Sequence, residues 1–233
     1  MLIRTILLVL FYVILLLAMV PVLLTAMIFG IRESLVNIGK GAMRLSRVIL
    51  GLRVEVEGLP EEENSRACVY MANHSSVLDG PLIFMLIRRP IRVIMKTSIF
   101  RLPVVGPGMR FVGFVPVDRQ GTKSGRGALE DAARMMRDKG YSFLIFPEGT
   151  RSLTGKLQPL RRGGFFLAGA AEAPIVPVSL RGTFELLPKG RRIPRRGTIR
   201  VVFHKPIPPP DPTPEAMAGW MAAVRDRLSS GSE

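Results

Sequence analysis

Residues 67–81 read Ala-Cys-Val-Tyr-Met-Ala-Asn-His-Ser-Ser-Val-Leu-Asp-Gly-Pro, an order that predicts a strand, a turn and a helix in succession. The apolar run 67–72 suits a buried strand. His74 then falls in the connecting turn, Asp79 stands at the N-cap, and Pro81 occupies the first helical turn, where its missing N–H does no harm. Five positions on a regular helix rotate through about 500°, so His74 and Asp79 face each other only if the histidine precedes the helix. Across such a turn the carboxylate can hold the imidazole's tautomer and stabilise the cation formed on proton abstraction.

Outward from this unit, short apolar runs alternate with helical patterns. Strands are expected at 53–57, 67–72, 92–96, 112–117, 142–146, 175–180 and 198–203, and helices at 79–89, 124–138, 164–172 and 214–228. Ala128, Ala132, Met135 and Met136 share one face of the 124–138 helix, which Gly140 closes. The fold class is α/β, a mixed and partly parallel sheet flanked by helices. Residues 188–197 carry too much proline, glycine and charge for a regular element and read as a basic surface loop, while six prolines in 206–214 make an extended connector.

A second informative string lies at 146–152, Phe-Pro-Glu-Gly-Thr-Arg-Ser. It follows an apolar strand, so Glu148, Gly149, Thr150 and Arg151 fall at a strand's carboxyl edge, where open α/β sheets bind ligands. A guanidinium forks onto phosphate while a carboxylate accepts from a hydroxyl. That pairing suits a phosphorylated polyol.

The 233-residue chain is 48% hydrophobic and carries a net charge of +15, which points to a partner rich in negative charge. A single cysteine, Cys68, excludes an internal disulfide and a cysteine-based zinc cluster built by this chain alone. From Thr5 to Ile31 no side chain is charged, a run longer than the roughly 20 residues needed to cross a bilayer and longer than the apolar core of a cleaved leader. The chain divides into an N-terminal membrane-anchoring helical segment, 1–50, and a catalytic α/β domain, 51–233. Pro21 leaves two readings of the apolar run, one kinked spanning helix or a re-entrant pair. Arg32, Lys40, Arg44 and Arg47 follow the run and only Arg4 precedes it, which places the catalytic domain on the cytoplasmic side. Residues 38–53 mix cations with apolar residues at helical spacing and suit either a helix along anionic headgroups or one packed on the domain.

Taken together, these strings resemble the 1-acylglycerol-3-phosphate acyltransferases, also called lysophosphatidate acyltransferases, of the glycerolipid acyltransferase family. The resemblance spans nearly the whole chain through four blocks in the family's order: His74 to Asp79, Gly113-Phe-Val-Pro-Val-Asp-Arg119, Phe146 to Ser152 and Ile175-Val-Pro-Val-Ser179. It implies transfer of a fatty acyl group from coenzyme A or acyl carrier protein to the sn-2 hydroxyl of lysophosphatidic acid, giving phosphatidic acid. It implies His74 as general base, Asp79 as its orienter, and Arg119, Glu148 and Gly149 in acceptor binding, with Lys96, Thr150 and Arg151 as further acceptor contacts. The acyl thioester is a substrate and no cofactor is implied.

No nucleophile elbow of the Gly-x-Ser-x-Gly type occurs, and a thioester is already activated, so no covalent intermediate is expected. Ser75 and Ser76 are expected to hydrogen-bond at the helix start, Cys68 to be a small core residue, and His204 to close a strand without forming a site. No His/Cys spacing marks a metal centre. Arg161, Arg162, Gly163 and Gly164 precede a helix and read equally as an anion cradle or a solvated turn. Two rival readings differ in kind: an acyltransferase for another lyso-acceptor such as a lyso-ornithine lipid, and a membrane-tethered basic module for nucleic acid or anionic lipid. One tryptophan and three tyrosines offer few base-stacking groups, so nucleic acid is not an expected partner.

Overall fold

The computed structural model describes residues 2–58, 66–118, 123–209 and 214–230. Helices α1 (Leu2–Phe29) and α2 (Arg32–Leu50) precede strand β1 (Leu52–Glu57) and the first half of the sheet, β2 (Val69–Ala72), α3 (Asp79–Leu86), β3 (Ile91–Lys96), α4 (Val105–Phe111) and β4 (Val115–Val117). The second half comprises α5 (Lys123–Lys139), β5 (Ser142–Ile145), α6 (Gly163–Ala170), β6 (Ile175–Arg181), α7 (Thr183–Leu186), β7 (Gly197–Phe203) and α8 (Pro214–Ser230).

The seven strands form one sheet in the order β1-β7-β6-β2-β5-β3-β4. Neighbours run parallel except β6 and β7, and β1 is parallel to β7. The start of β1 and the start of β7 therefore share an edge with the carboxyl ends of β2, β3, β5 and β6. Alternate residues of β2 feed two cores: Tyr70 and Ala72 join α2 and α3 on one face, whereas Val69 and Met71 join α5, α6 and α8 on the other. A strand buried on both faces reads as a continuous apolar run rather than an alternation.

Helices α4 and α7 have no counterpart among the expected helices, and two expected elements differ in extent. Of the expected strand 112–117 only Val115–Val117 pairs with β3, because α4 ends at Phe111 and Gly113 turns the chain at φ +90°. The apolar residues that suggested a longer strand pack sideways instead, Phe114 meeting Phe84 edge-on at 5.5 Å. Helix α3 stops at Leu86 instead of residue 89. Pro90 disfavours helical backbone before it, and Lys40 of α2 donates to the Ile87 carbonyl at 2.6 Å, closing the helix from outside.

Helix α1 runs unbroken through Pro21, and it is long and apolar enough to cross a membrane. Gly30, at φ +69°, turns the chain so that α2 doubles back along α1, with Ser46 Oγ donating to Tyr12 Oη at 2.9 Å. Helix α2 buries Val36, Lys40 and Leu50 against the domain, so one flank of this amphipathic helix is packed. In α1 only Leu23 and Ala26 are buried. Most of its remaining apolar surface, including Leu10, Leu17, Leu24 and Phe29, is exposed, an area of the kind that marks a membrane or partner contact.

Candidate active site

Asp79 opens α3 and is fully buried. Rather than capping forward, its carboxylate reaches back into the turn: Oδ2 lies 2.9 Å from His74 Nδ1 and accepts the Ser75 and Ser76 N–H groups, each at 2.7 Å. An acceptor at Nδ1 fixes the tautomer with that nitrogen protonated and leaves Nε2 as the basic atom. The ring is held from the side as well, stacked on Phe146 at 4.0 Å between centroids and 19° between planes. With 14% of its side chain accessible, His74 is open to a reactant yet fixed by two neighbours.

Glu148 joins the two strings that the sequence singles out. Its Oε1 accepts the His74 N–H at 2.6 Å and its Oε2 accepts the Gln158 N–H at 2.8 Å. Ser152 N–H donates to the His74 carbonyl at 2.8 Å, so the histidine's own peptide is held from both sides. Burial pushes the Glu148 carboxyl above its ordinary value, while the hydrogen bonds from Gln158 and His74 oppose the rise. Both Glu148 oxygens are thus directed at backbone donors. Gln158 in turn donates through Nε2 to the Thr150 carbonyl at 3.0 Å.

Gly149 sits at φ +73°, and a Cβ there would lie 2.8 Å from Arg161 Nε and 2.9 Å from Arg161 Cδ. Only glycine both adopts this backbone and lets the arginine stem cross it. Gly149→Ala should lower stability by about 1–3 kcal/mol and displace Arg161. A thermal unfolding midpoint equal to that of the parent protein would show that the loop accommodates the methyl group without cost.

Lys96 ends β3, exposed, and Arg151 is partly exposed; neither has a partner among the described residues. Arg119 lies outside the described residues. Ser76 Oγ accepts from Leu78 N–H at the helix start, as expected, and donates to the Leu187 carbonyl at 2.7 Å, whereas Ser75 Oγ turns away from the helix start to Thr183 Oγ1 of α7 at 3.1 Å. Cys68 is buried in the core. His204 packs Nε2 against Ser179 Oγ at 2.7 Å, and burial lowers its pKa.

Phe146 and Gln158 complete the arrangement, although neither stood out as a candidate in the sequence. Besides bracing His74, Phe146 forms part of a cavity of about 370 Å³ lined by Ile94, Leu129, Ile145, Phe166 and the two arginines Arg161 and Arg162. The Arg161–Gly164 turn therefore faces a cavity as well as solvent. A basic nitrogen, an apolar recess sharing its aromatic wall and cations on the same sheet edge suit attack by an alcohol on an acyl group.

A family model described as Acyltransferase matches residues 53–181, more than half of the chain. The chain is 39% identical over 153 residues to the chloroplastic 1-acyl-sn-glycerol-3-phosphate acyltransferase BAT2 of Brassica napus, covering 65% of this chain and 43% of that protein. It is 38% identical over 154 residues to a 1-acyl-sn-glycerol-3-phosphate acyltransferase of Chlamydomonas reinhardtii, covering 66% and 45% respectively. The matched part is thus less than half the length of these relatives. The crystal structure of the 1-acyl-sn-glycerophosphate (LPA) acyltransferase PlsC from Thermotoga maritima shares the fold, with a TM-score of 0.81 over 99% of this chain and 93% of that one at 24% identity.

Proposed function

This chain belongs to the Acyltransferase family, and from that premise we propose that it moves a fatty acyl group from a thioester to the sn-2 hydroxyl of 1-acylglycerol-3-phosphate, giving phosphatidic acid. The observation that carries the reading is the 2.9 Å contact of His74 Nδ1 with Asp79 Oδ2, which leaves Nε2 available as a base at the sheet's carboxyl edge. The relatives' names, 1-acyl-sn-glycerol-3-phosphate acyltransferase, support the choice of acceptor.

In the proposed step the sn-2 oxygen attacks the thioester carbon as His74 Nε2 takes the hydroxyl proton. The C–S bond then breaks, and the imidazolium returns that proton to the departing thiolate. Asp79 orients the ring and stabilises its cation. Lys96, Arg119 and Arg151 hold the acceptor phosphate, Gly149 keeps the loop backbone close to it, and Glu148 keeps the His74 peptide in register. The apolar recess beside Phe146 receives the acyl chain of coenzyme A or acyl carrier protein thioesters.

The hairpin supports the membrane part of this reading. Arg4, near the start of α1, lies against Gly51 at the end of α2, so both ends of the hairpin sit at one side of the domain. Spanning by α1 would draw Arg32, Arg44 and Arg47 of α2 toward hydrocarbon, at a cost of about 2.5–3.5 kcal/mol for a basic group at the bilayer centre. Helix α1 therefore lies along the cytoplasmic leaflet with its exposed flank immersed.

The test is to incubate the purified full chain with acyl-coenzyme A or acyl carrier protein thioesters and a panel of lyso-acceptors, then weigh the products. Phosphatidic acid formed from lysophosphatidic acid is the expected result. Acylation of a lyso-ornithine lipid or another lysophospholipid in its place would reassign the acceptor.

A further inference from the structure

Arg4, Arg47, Arg53 and Arg196 line a single cavity of about 800 Å³ together with Gly51 and Gly197. Four separate parts of the chain deliver these cations: the start of α1, the last turn of α2, the start of β1 and the loop before β7. Gly51, at φ +68°, has no side chain, and the space where one would stand holds the Arg4 guanidinium, with the Arg196 stem at 3.5 Å. Among the described residues none of the four arginines has an acidic partner. Arg47 Nε is buried with no hydrogen-bond partner there. Gathered like charges repel unless they share an anion, and guanidinium forks match phosphate oxygens.

The position of this cavity follows from the reversal of β7. Because β7 is antiparallel to β6 and β1 is parallel to β7, the arginines lie on the same sheet edge as His74. Three strand spacings separate β1 from β2, roughly 14 Å at about 4.8 Å each. The loop 188–196 connects the two places. It leaves Ser76 at the Ser76–Pro188 bridge, includes Lys189, Arg191, Arg192 and Arg195, and reaches the cavity at Arg196. On its other side the cavity meets the first turn of α1.

We infer that this four-arginine cavity binds the phosphate of anionic phospholipid headgroups in the leaflet that holds α1, separately from the acceptor site at His74. The inference rests on the reading of α1 as the bilayer contact. It draws the carboxyl edge of the sheet onto the membrane.

The experiment is flotation of the full chain with vesicles of phosphatidylcholine alone or with about one third phosphatidylglycerol. One basic side chain near an anionic leaflet contributes about fivefold in affinity. Changing Arg47, Arg53 and Arg196 together to alanine should therefore reduce the preference for anionic vesicles about 100-fold, and Arg196→Glu alone about 25-fold. Binding to pure phosphatidylcholine should persist in both, since α1 is unchanged. Removing equal charge from exposed positions of the opposite layer, Arg134, Lys139 and Arg225, should leave the preference intact. An equal loss in that control would reduce the effect to net charge and overturn the inference. Inorganic phosphate displacing the protein more strongly than chloride at matched ionic strength would assign the cavity to free phosphate instead. Failure to bind phosphatidylcholine vesicles at all would count against α1, not against the cavity.

Discussion

Alanine at position 74 should slow phosphatidic acid formation by about 10²–10⁴-fold, the usual contribution of a positioned base, with the fold retained. The expectation comes from the ring's surroundings. Asp79 takes Nδ1, Phe146 covers one face, and 14% of the side chain stays accessible, so removing the imidazole deletes the basic atom without uncovering a large core surface. The measurement is single-turnover acyl transfer from a thioester to lysophosphatidic acid, with circular dichroism reporting the fold. A rate unchanged from the parent enzyme would remove the proposed mechanism. Asp79→Asn should also be slow: its amide oxygen can take the place of Oδ2, but a neutral amide no longer stabilises the imidazolium, and its NH2 is left buried where Oδ1 has no partner.

Glu148→Gln separates two roles for the second string. A glutamate that binds the acceptor raises KM when changed, whereas one that holds the His74 peptide lowers kcat. The structure gives Oε1 to His74 N–H and Oε2 to Gln158 N–H, and a glutamine can serve only one of them as an acceptor. The orphaned N–H costs about 1–3 kcal/mol of stability. Misplacing the base should cost on the order of 10²-fold in kcat, with KM for lysophosphatidic acid within about twofold of the parent value. A rise in KM with kcat unchanged would return Glu148 to the acceptor site. The pH dependence offers a second readout. Because burial raises the Glu148 pKa in the folded state above its ordinary 4.5, the folded protein binds more protons than the unfolded chain above that value. This group's contribution to stability is present below about 4.5 and is lost as pH rises through the raised folded value. Glutamine in its place should remove that component of the slope.

The His74–Asp79 pair was legible because six residues of sequence, 74–79, contain both partners and the turn between them. The strand–turn–helix unit and the partly parallel α/β layering followed from local patterns of the same kind. Glu148 was legible as a special residue, but its partners are backbone N–H groups 74 and 10 positions away, and a backbone donor leaves no mark in the side-chain sequence. Helix α4 was hidden for another reason: Val-Gly-Pro-Gly-Met-Arg-Phe carries the punctuation of a loop, and Gly106 is needed because a Cβ would strike the Phe100 carbonyl. The reversal of β7 and β1 could not be read from periodicity, since a strand pattern specifies faces and not direction.

Phe146 serves on both of its sides, bracing His74 and walling the apolar recess. On the proposed reading, an acyl tail bulky enough to push that ring aside would also tilt the imidazole, so chain length would register as a change in turnover even where the tail is well accommodated. Selectivity of this sort sits in the chemical step, and equilibrium binding to a panel of thioesters would understate it.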